Sequence, residues 1–330
     1  MARALLTTAL LCGGVVPGAA QIFVDRSPHL HGFATVGAVT LHFLDWGGTG
    51  PLLLLIPGLG NTAHVYDEFA PHFTDRFHVV GLTLRGHGQS DRPPTGYRTD
   101  SLAADVRRFM DLLGARRATL VGHSIGSDVL TYLAARHGER VERLVYLEEA
   151  AGVSDIGTLL SSDGQTDLTA LAEQPTREAF LKAYWLPLEG ADVRTAALEA
   201  DLHFGQFLGP SGLVQPVVSG PIANAYVRGK LSPERRGVRA PALAVFGRGY
   251  VVSLYSGEQH GGAMETELKW KDHQILRFRA EIPHAKVVVL EGAGHPLLIQ
   301  RGREVVSLVR AYLTVPETER SGRGPRHGTP

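Results

Sequence analysis

The pentapeptide Gly122-His123-Ser124-Ile125-Gly126 lies between a β-like run, Ala118-Thr119-Leu120-Val121, and a helical pattern from Asp128 to His137. A chain that passes from strand to helix in so few residues must reverse sharply. Glycines on both sides leave room for that reversal, and a residue at its apex is held out from the end of the sheet. With 39 Gly in 330 residues the spacing alone is a weak signal. The order of the elements around it has to carry the argument.

That order is regular. Val39 to Trp46 alternates, with Leu41, Phe43 and Asp45 on one face. Leu52-Leu53-Leu54-Leu55-Ile56 is wholly apolar and ends at Pro57-Gly58, as expected of a strand buried on both faces. Phe77–Gly81, Ala118–Val121, Val141–Leu147, Ala242–Phe246 and Lys286–Leu290 repeat the style. Ser101 to Leu113 places Leu102, Val106, Phe109, Met110 and Leu113 on one helical stripe, with Asp100 as the expected N-cap and Gly114 as the stop. Arg303 to Leu313 is a second amphipathic helix. Strands alternating with helices predict an α/β fold around a mostly parallel, doubly wound sheet.

The alternation breaks between Ala151 and Arg239, where helix-prone pieces (Leu168–Ala183, Arg194–Phe207) are separated by Gly and Pro clusters. The expected organisation is a core of residues 21–151 and 239–315 interrupted by a helical lid, 152–238. Residues 316–330 are polar, rich in Gly, Arg and Pro, and expected to be disordered. Residues 1–20 resemble a secretory signal peptide: a basic start, the apolar run Ala4–Val16, and small residues at the −3 and −1 positions of a cut after Ala20. On that reading the chain is secreted or periplasmic; otherwise residues 1–20 are an extension and the chain is cytoplasmic. The apolar run is too short to span a bilayer comfortably. The one cysteine, Cys12, lies within it, so a mature chain would hold neither a disulfide nor a Cys-ligated metal. Zero net charge and a pI near 7.3 give no electrostatic reason to expect nucleic acid or an anionic membrane as partner.

A serine hydroxyl needs a base, an orienting group for that base, and donors for an oxyanion before it is a useful nucleophile. Ser124 is the candidate nucleophile. His295, in Glu291-Gly292-Ala293-Gly294-His295, follows the last strand. Loops after strand C-termini converge on one edge of a doubly wound sheet, so Ser124 and His295 can meet. The expected oxyanion donors are the backbone N–H groups of Ile125 and of Leu59, in Pro57-Gly58-Leu59-Gly60-Asn61, although a plain Pro-Gly turn would read the same way. His87, in Arg85-Gly86-His87-Gly88, is expected to brace a loop, and His123 to point away from Ser124 Oγ. The glycine-rich stretches lack the phosphate-binding signatures, and neither a cofactor nor a metal is expected.

Ile56-Pro57-Gly58-Leu59-Gly60, Leu84 to Ser90, Val121 to Gly126 and Gly292-Ala293-Gly294-His295, in this order, resemble the α/β-hydrolase superfamily, and in particular its serine hydrolases of the esterase, perhydrolase and C–C hydrolase type. The resemblance covers about Thr35 to Leu313 and is weak across the lid. It implies an eight-stranded sheet and a Ser-acid-His order. In most of that superfamily an Asp follows the strand after the lid, but here Gly247-Arg248-Gly249-Tyr250-Val251-Val252 offers no carboxylate. A minority place the acid one strand earlier, where this chain has Glu148 and Glu149. Glu148 is therefore expected to orient His295, with Glu149 as the fallback; both could instead be solvated or cap the lid. Ser at position 124 departs from the Asp used by the epoxide hydrolases and dehalogenases of this fold.

Gly58, His64, His123, Tyr184 and Trp185 are the expected lining of a substrate pocket, although Tyr184 and Trp185, like Phe204 and Phe207, could equally be lid core. The expected activity is hydrolysis of a small ester with an apolar part. The alternatives are C–C bond cleavage or cofactor-free perhydrolysis on the same fold, or a non-catalytic small-ligand binder. The sequence leaves substrate identity and oligomeric state open.

Overall fold

The computed structural model describes residues 28–149, 217–232, 234–249 and 260–314. The N-terminal segment 1–20, most of the insertion with Tyr184, Trp185, Phe204 and Phe207, and the tail 316–330 lie outside the described residues.

Eight strands form one sheet: β1 (Leu30–Val36), β2 (Val39–Gly47), β3 (Leu52–Ile56), β4 (His78–Leu82), β5 (Ala118–His123), β6 (Val141–Leu147), β7 (Ala242–Arg248) and β8 (Lys286–Glu291). Their order is β1-β2-β4-β3-β5-β6-β7-β8. The pairs β1–β2 and β2–β4 are antiparallel, and every pair from β4–β3 to β7–β8 is parallel. The helices are α1 (Thr99–Leu112), α2 (Ile125–Arg136), α3 (Gly220–Arg228), α4 (His260–Glu281), α5 (Leu297–Gln300) and α6 (Gly302–Thr314). None among the described residues is long and apolar enough to cross a membrane.

The apolar run of β3 explains the layering. Leu54 and Ile56 enter the core on the face covered by α1 and α2, where Val106, Phe109, Met110, Val129 and Leu133 also pack. Leu53 and Leu55 enter the opposite core with Tyr66, Phe69, Phe73 and, from α6, Val305, Val309 and Leu313. A strand between two helical layers has no solvent face, hence no alternation. Truncating one of these leucines to Ala would cost about 2–5 kcal/mol, by lost transfer energy plus the cavity left behind.

Three differences from the sequence expectations have physical causes. Strand β1 was not foreseen: Leu30 and Phe33 are exposed on it, and the Phe43 ring from β2 lies over Gly32, so its own apolar alternation is blurred. Helix α1 starts at Thr99, with Arg98 as N-cap; Asp100 sits in the first turn, where its Oδ1 accepts from Ser101 N–H at 2.8 Å and its charge faces the positive helix end. The stop at Gly114 is as expected, with φ +70° and Ala115 N–H returning to Met110 O at 2.9 Å. Helix α4 also went unread, and it carries a residue of the site.

Candidate active site

Ser124 follows β5 and caps α2 with φ +52° and ψ −125°, a conformation that costs a non-glycine residue on the order of 1–3 kcal/mol. The surroundings hold it there. Its N–H donates to Leu147 O at 3.0 Å. A Cβ on Gly122 would lie 2.8 Å from Ser127 N, and one on Gly126 would strike Ile56 O, so neither flank can carry a side chain. Gly58 is packed as tightly from the other side: a Cβ there would meet Ser124 Cβ and His123 Nδ1, each at 2.9 Å. The β3–helix loop and the β5–α2 turn are thus pressed together backbone to side chain.

Leu59 and Ile125 stand on these two segments. Neither backbone N–H donates a hydrogen bond within the described residues. For Ile125 that follows from its place at the first position of a helix. His87 fixes the shape of the Leu59 loop. Its Nδ1–H donates to Arg85 O at 3.1 Å, which leaves Nε2 to accept from Gly60 N–H at 3.1 Å. Leu59 itself packs against Val218 and Ala223, where α3 crosses the loop.

His295 lies in the turn after β8. The His123 ring is 4.8 Å from the His295 ring, and His123 Nε2–H donates to the His295 carbonyl at 3.1 Å. Burial, followed by the neighbouring His295, lowers the His123 pKa to about 3, so this imidazole stays neutral. His123 is therefore a buried strut between the serine turn and the His295 loop rather than a base. Ser124 Oγ makes no hydrogen bond among the described residues.

Glu148 follows β6 directly, with φ +47°. Its Oε1 accepts from Gly247 N–H, and its Oε2 lies 3.3 Å from His295 Nδ1 and 3.2 Å from Lys271 Nζ. A carboxylate only accepts, so the Nδ1 of His295 carries the proton and Nε2 keeps its lone pair. Burial pushes the Glu148 carboxyl up. The Lys271 charge, the His295 hydrogen bond and the Gly247 N–H outweigh it and hold the carboxyl below its ordinary 4.5. Glu149 turns elsewhere: both its oxygens accept from the fully buried Arg235, with contacts of 2.7–2.9 Å, and Arg235 also reaches Glu281 at 2.7 Å. Of the two glutamates, the described structure brings only Glu148 to His295.

Lys271 was not foreseen. It is buried on α4, donates to Gly247 O at 2.8 Å, and shares a helical stripe with Ile275, Phe278 and Ile282 of the core. That stripe was the available signal: a lysine at an otherwise apolar position of a buried face. His64, expected at the pocket, is buried; its Nδ1 lies 2.9 Å from Asp67 Oδ2 and its ring contacts are with His29, His31 and His42.

Comparison with known proteins agrees with this architecture. The profile of the alpha/beta hydrolase fold matches residues 51–181. A 2-(acetamidomethylene)succinate hydrolase of Mesorhizobium japonicum is 33% identical over 113 residues, 34% of this chain and 40% of that protein. The match thus spans about two fifths of that relative's length. The crystal structure of E-2-(acetamidomethylene)succinate hydrolase superposes with a TM-score of 0.67 at 22% identity, covering 87% of this chain and 100% of that one. An enol-lactonase from Burkholderia xenovorans superposes with a TM-score of 0.61 at 24% identity, over 86% and 100% of the two chains. Sheet order, the turn at Ser124 and these likenesses converge: the chain has the alpha/beta hydrolase fold.

Proposed function

We propose that this protein is a serine hydrolase of small carboxylic esters that works through an acyl-enzyme. The observation that supports the reading is a His295 whose Nδ1 faces Glu148 and whose loop packs on His123, the residue beside Ser124 in its held conformation. In the proposed cycle His295 Nε2 takes the Ser124 hydroxyl proton while Oγ attacks the ester carbonyl. The resulting oxyanion is met by the Leu59 and Ile125 N–H groups, which donate to no other acceptor among the described residues. The imidazolium, stabilised by Glu148, gives its proton to the departing alkoxide. Water deprotonated by the same nitrogen then attacks the acyl-enzyme, and Ser124 recovers its proton as the acid leaves. The hydrogen bond between Ser124 and His295 forms, on this reading, as substrate binds, a tightening common to such sites.

A second reading has one specific support. The relative named for 2-(acetamidomethylene)succinate carries an N-acyl group in its substrate's name, whereas the enol-lactonase is named for a cyclic ester. The same residues could release an amine in place of an alcohol. A fluorophosphonate probe, p-nitrophenyl esters and N-acyl enamines, each tried on the wild type and on Ser124→Ala, separate the readings. Labelling and ester turnover that vanish in Ser124→Ala support the proposal. Enamide turnover without ester turnover selects the second reading. A folded wild type that neither labels nor turns over any of these overturns both and favours a ligand binder.

A further inference from the structure

Away from the serine turn, at the antiparallel edge of the sheet, four imidazoles and a carboxylate crowd together. His31 stands on β1, His42 on β2, and His64 in the short 3-10 turn Ala63–Tyr66 that follows the Leu59 loop. His31 Nδ1 and His42 Nε2 are 3.0 Å apart. One ring nitrogen from each of His31, His42 and His64 lies within 4.8 Å of the others. The His29 ring adjoins them, with its centroid 4.8 Å from that of His31 and 5.3 Å from that of His64.

The partners on the far side of these rings give the cluster direction. His64 Nδ1 faces Asp67 Oδ2 at 2.9 Å. Since a carboxylate cannot donate, Nδ1 carries a proton, and in the neutral ring Nε2 is the atom left to bind an ion. His42 Nδ1 faces Thr83 Oγ1 at 3.1 Å, which allows the same tautomer with the Nε2 lone pair toward His31. Thr83 Oγ1 also accepts from Ala63 N–H at 3.1 Å, so one hydroxyl anchors both the His42 ring and the start of the His64 turn. Ligand imidazoles whose second nitrogen donates to a carboxylate or hydroxyl are the usual supporting arrangement of a metal site, because it fixes the tautomer and raises the basicity of the ligand atom.

Distance decides whether an ion fits. Nitrogens bound at about 2.05 Å to a tetrahedral zinc stand roughly 3.3 Å apart. The His31–His42 pair is 3.0 Å apart as a hydrogen bond, a little inside that spacing; zinc would take the place of the shared proton, and the spread of up to 4.8 Å closes with a side-chain shift on the order of 1 Å, which the exposed His31 can make. Three imidazoles with no thiolate and one carboxylate in support favour a zinc-class transition ion over magnesium or calcium, which want oxygen ligands. We propose that His31, His42 and His64 form a binding site for a zinc-class divalent ion, which clamps the β1–β2 hairpin to the turn beside the Leu59 loop, with Asp67 and Thr83 orienting two of the ligands. The site escaped sequence reading because positions 31, 42 and 64 carry no recognisable ligand spacing and come together only through sheet pairing.

The test uses the untagged full chain, stripped with a chelator and titrated with zinc against a chromophoric competitor, with the melting temperature followed in parallel. The expected result is saturation at one zinc per chain with a rise in melting temperature, and no rise with millimolar magnesium. His31→Gln alters an exposed residue and should leave the fold intact while weakening zinc binding at least tenfold. Asp67→Asn should weaken it by about 10- to 100-fold. His273→Gln, on an exposed position of α4 outside the cluster, should bind as the wild type does. A wild type that shows no saturable one-to-one binding, or a His31→Gln variant that binds zinc as tightly as the wild type, overturns the proposal.

Discussion

Replacing Lys271 by Met keeps most of the side-chain volume and removes a charge buried 3.2 Å from Glu148 Oε2. At that distance, and at an effective dielectric constant near 20, the direct attraction is about 5 kcal/mol. Part of it is offset, since the ammonium no longer has to be held out of water. Breaking one side of a buried pair costs about 3–5 kcal/mol as a rule, and Glu148 keeps the Gly247 N–H and His295, which places the expected loss near the lower figure. For a domain of this size that is a fall in melting temperature of about 6–12 °C. The loss should depend on pH. The Glu148 carboxyl lies below its ordinary 4.5 in the folded protein, so its stabilising contribution is present above that value and is lost as the pH falls through the folded value. Without Lys271, burial dominates and the carboxyl moves up. Melting curves of the two proteins should therefore be well separated at pH 7 and converge below about pH 4.5, and the acidic limb of the activity profile should move to higher pH in the variant. An equal loss at every pH, with an unmoved acidic limb, would show that Lys271 acts by packing and by its bond to Gly247 O, and would refute the charge argument.

Glu148→Gln should lower ester turnover by about 10²–10⁴-fold, whereas Glu149→Gln should leave turnover within a few fold and lower the melting temperature, since it takes from the buried Arg235 the carboxylate that binds it through both oxygens; kcat and thermal denaturation of both variants check this. Ser124→Gly should abolish turnover yet raise stability by about 1 kcal/mol, read by denaturant titration, because glycine adopts φ +52° without strain. His87→Phe should cut kcat with little change in KM, because it releases Gly60 N–H and loosens the loop that presents Leu59.

Much of the architecture was legible because both-face burial leaves a strong mark. Runs such as Leu52–Ile56 and Val141–Leu147 match β3 and β6 to the residue. The serine turn was legible for a related reason: its glycines are demanded by backbone contacts within three ångströms. Features that depend on a distant partner were not. Lys271 reads as surface until Glu148, 123 positions away, supplies its counter-charge. Strand β1 reads as irregular until Phe43 of its neighbour covers Gly32. Arg235 gives no local hint that it is fully buried, since the distant Glu149 and Glu281 make that burial tolerable.

The absence of a carboxylate after β7 can be traced to the packing there. Gly247 and Gly249 both face the backbone that leads to His295. A Cβ on Gly247 would strike Ala293 O, and one on Gly249 would lie 2.6 Å from the same atom. Between them Arg248 turns outward to Asp272 at 2.8 Å and Glu291 at 3.3 Å. The His295 loop therefore occupies the room that a carboxylate on this strand would need. Strand β6 lies next to β7 in parallel register, Leu147 beside Val245, so a side chain one strand over emerges at nearly the same height. Glu148 uses that height, while Gly247 donates its N–H to the carboxylate and accepts from Lys271 through its carbonyl. Adding Gly249→Asp to Glu148→Gln should consequently fail to restore turnover and should lower stability by at least 1 kcal/mol beyond the single variant, because the new side chain must push the Ala293 carbonyl aside. Recovery of turnover to within tenfold of the wild type in that double variant would mean that the loop yields easily, and that close packing by Gly247 and Gly249 is not what excludes the acid from β7.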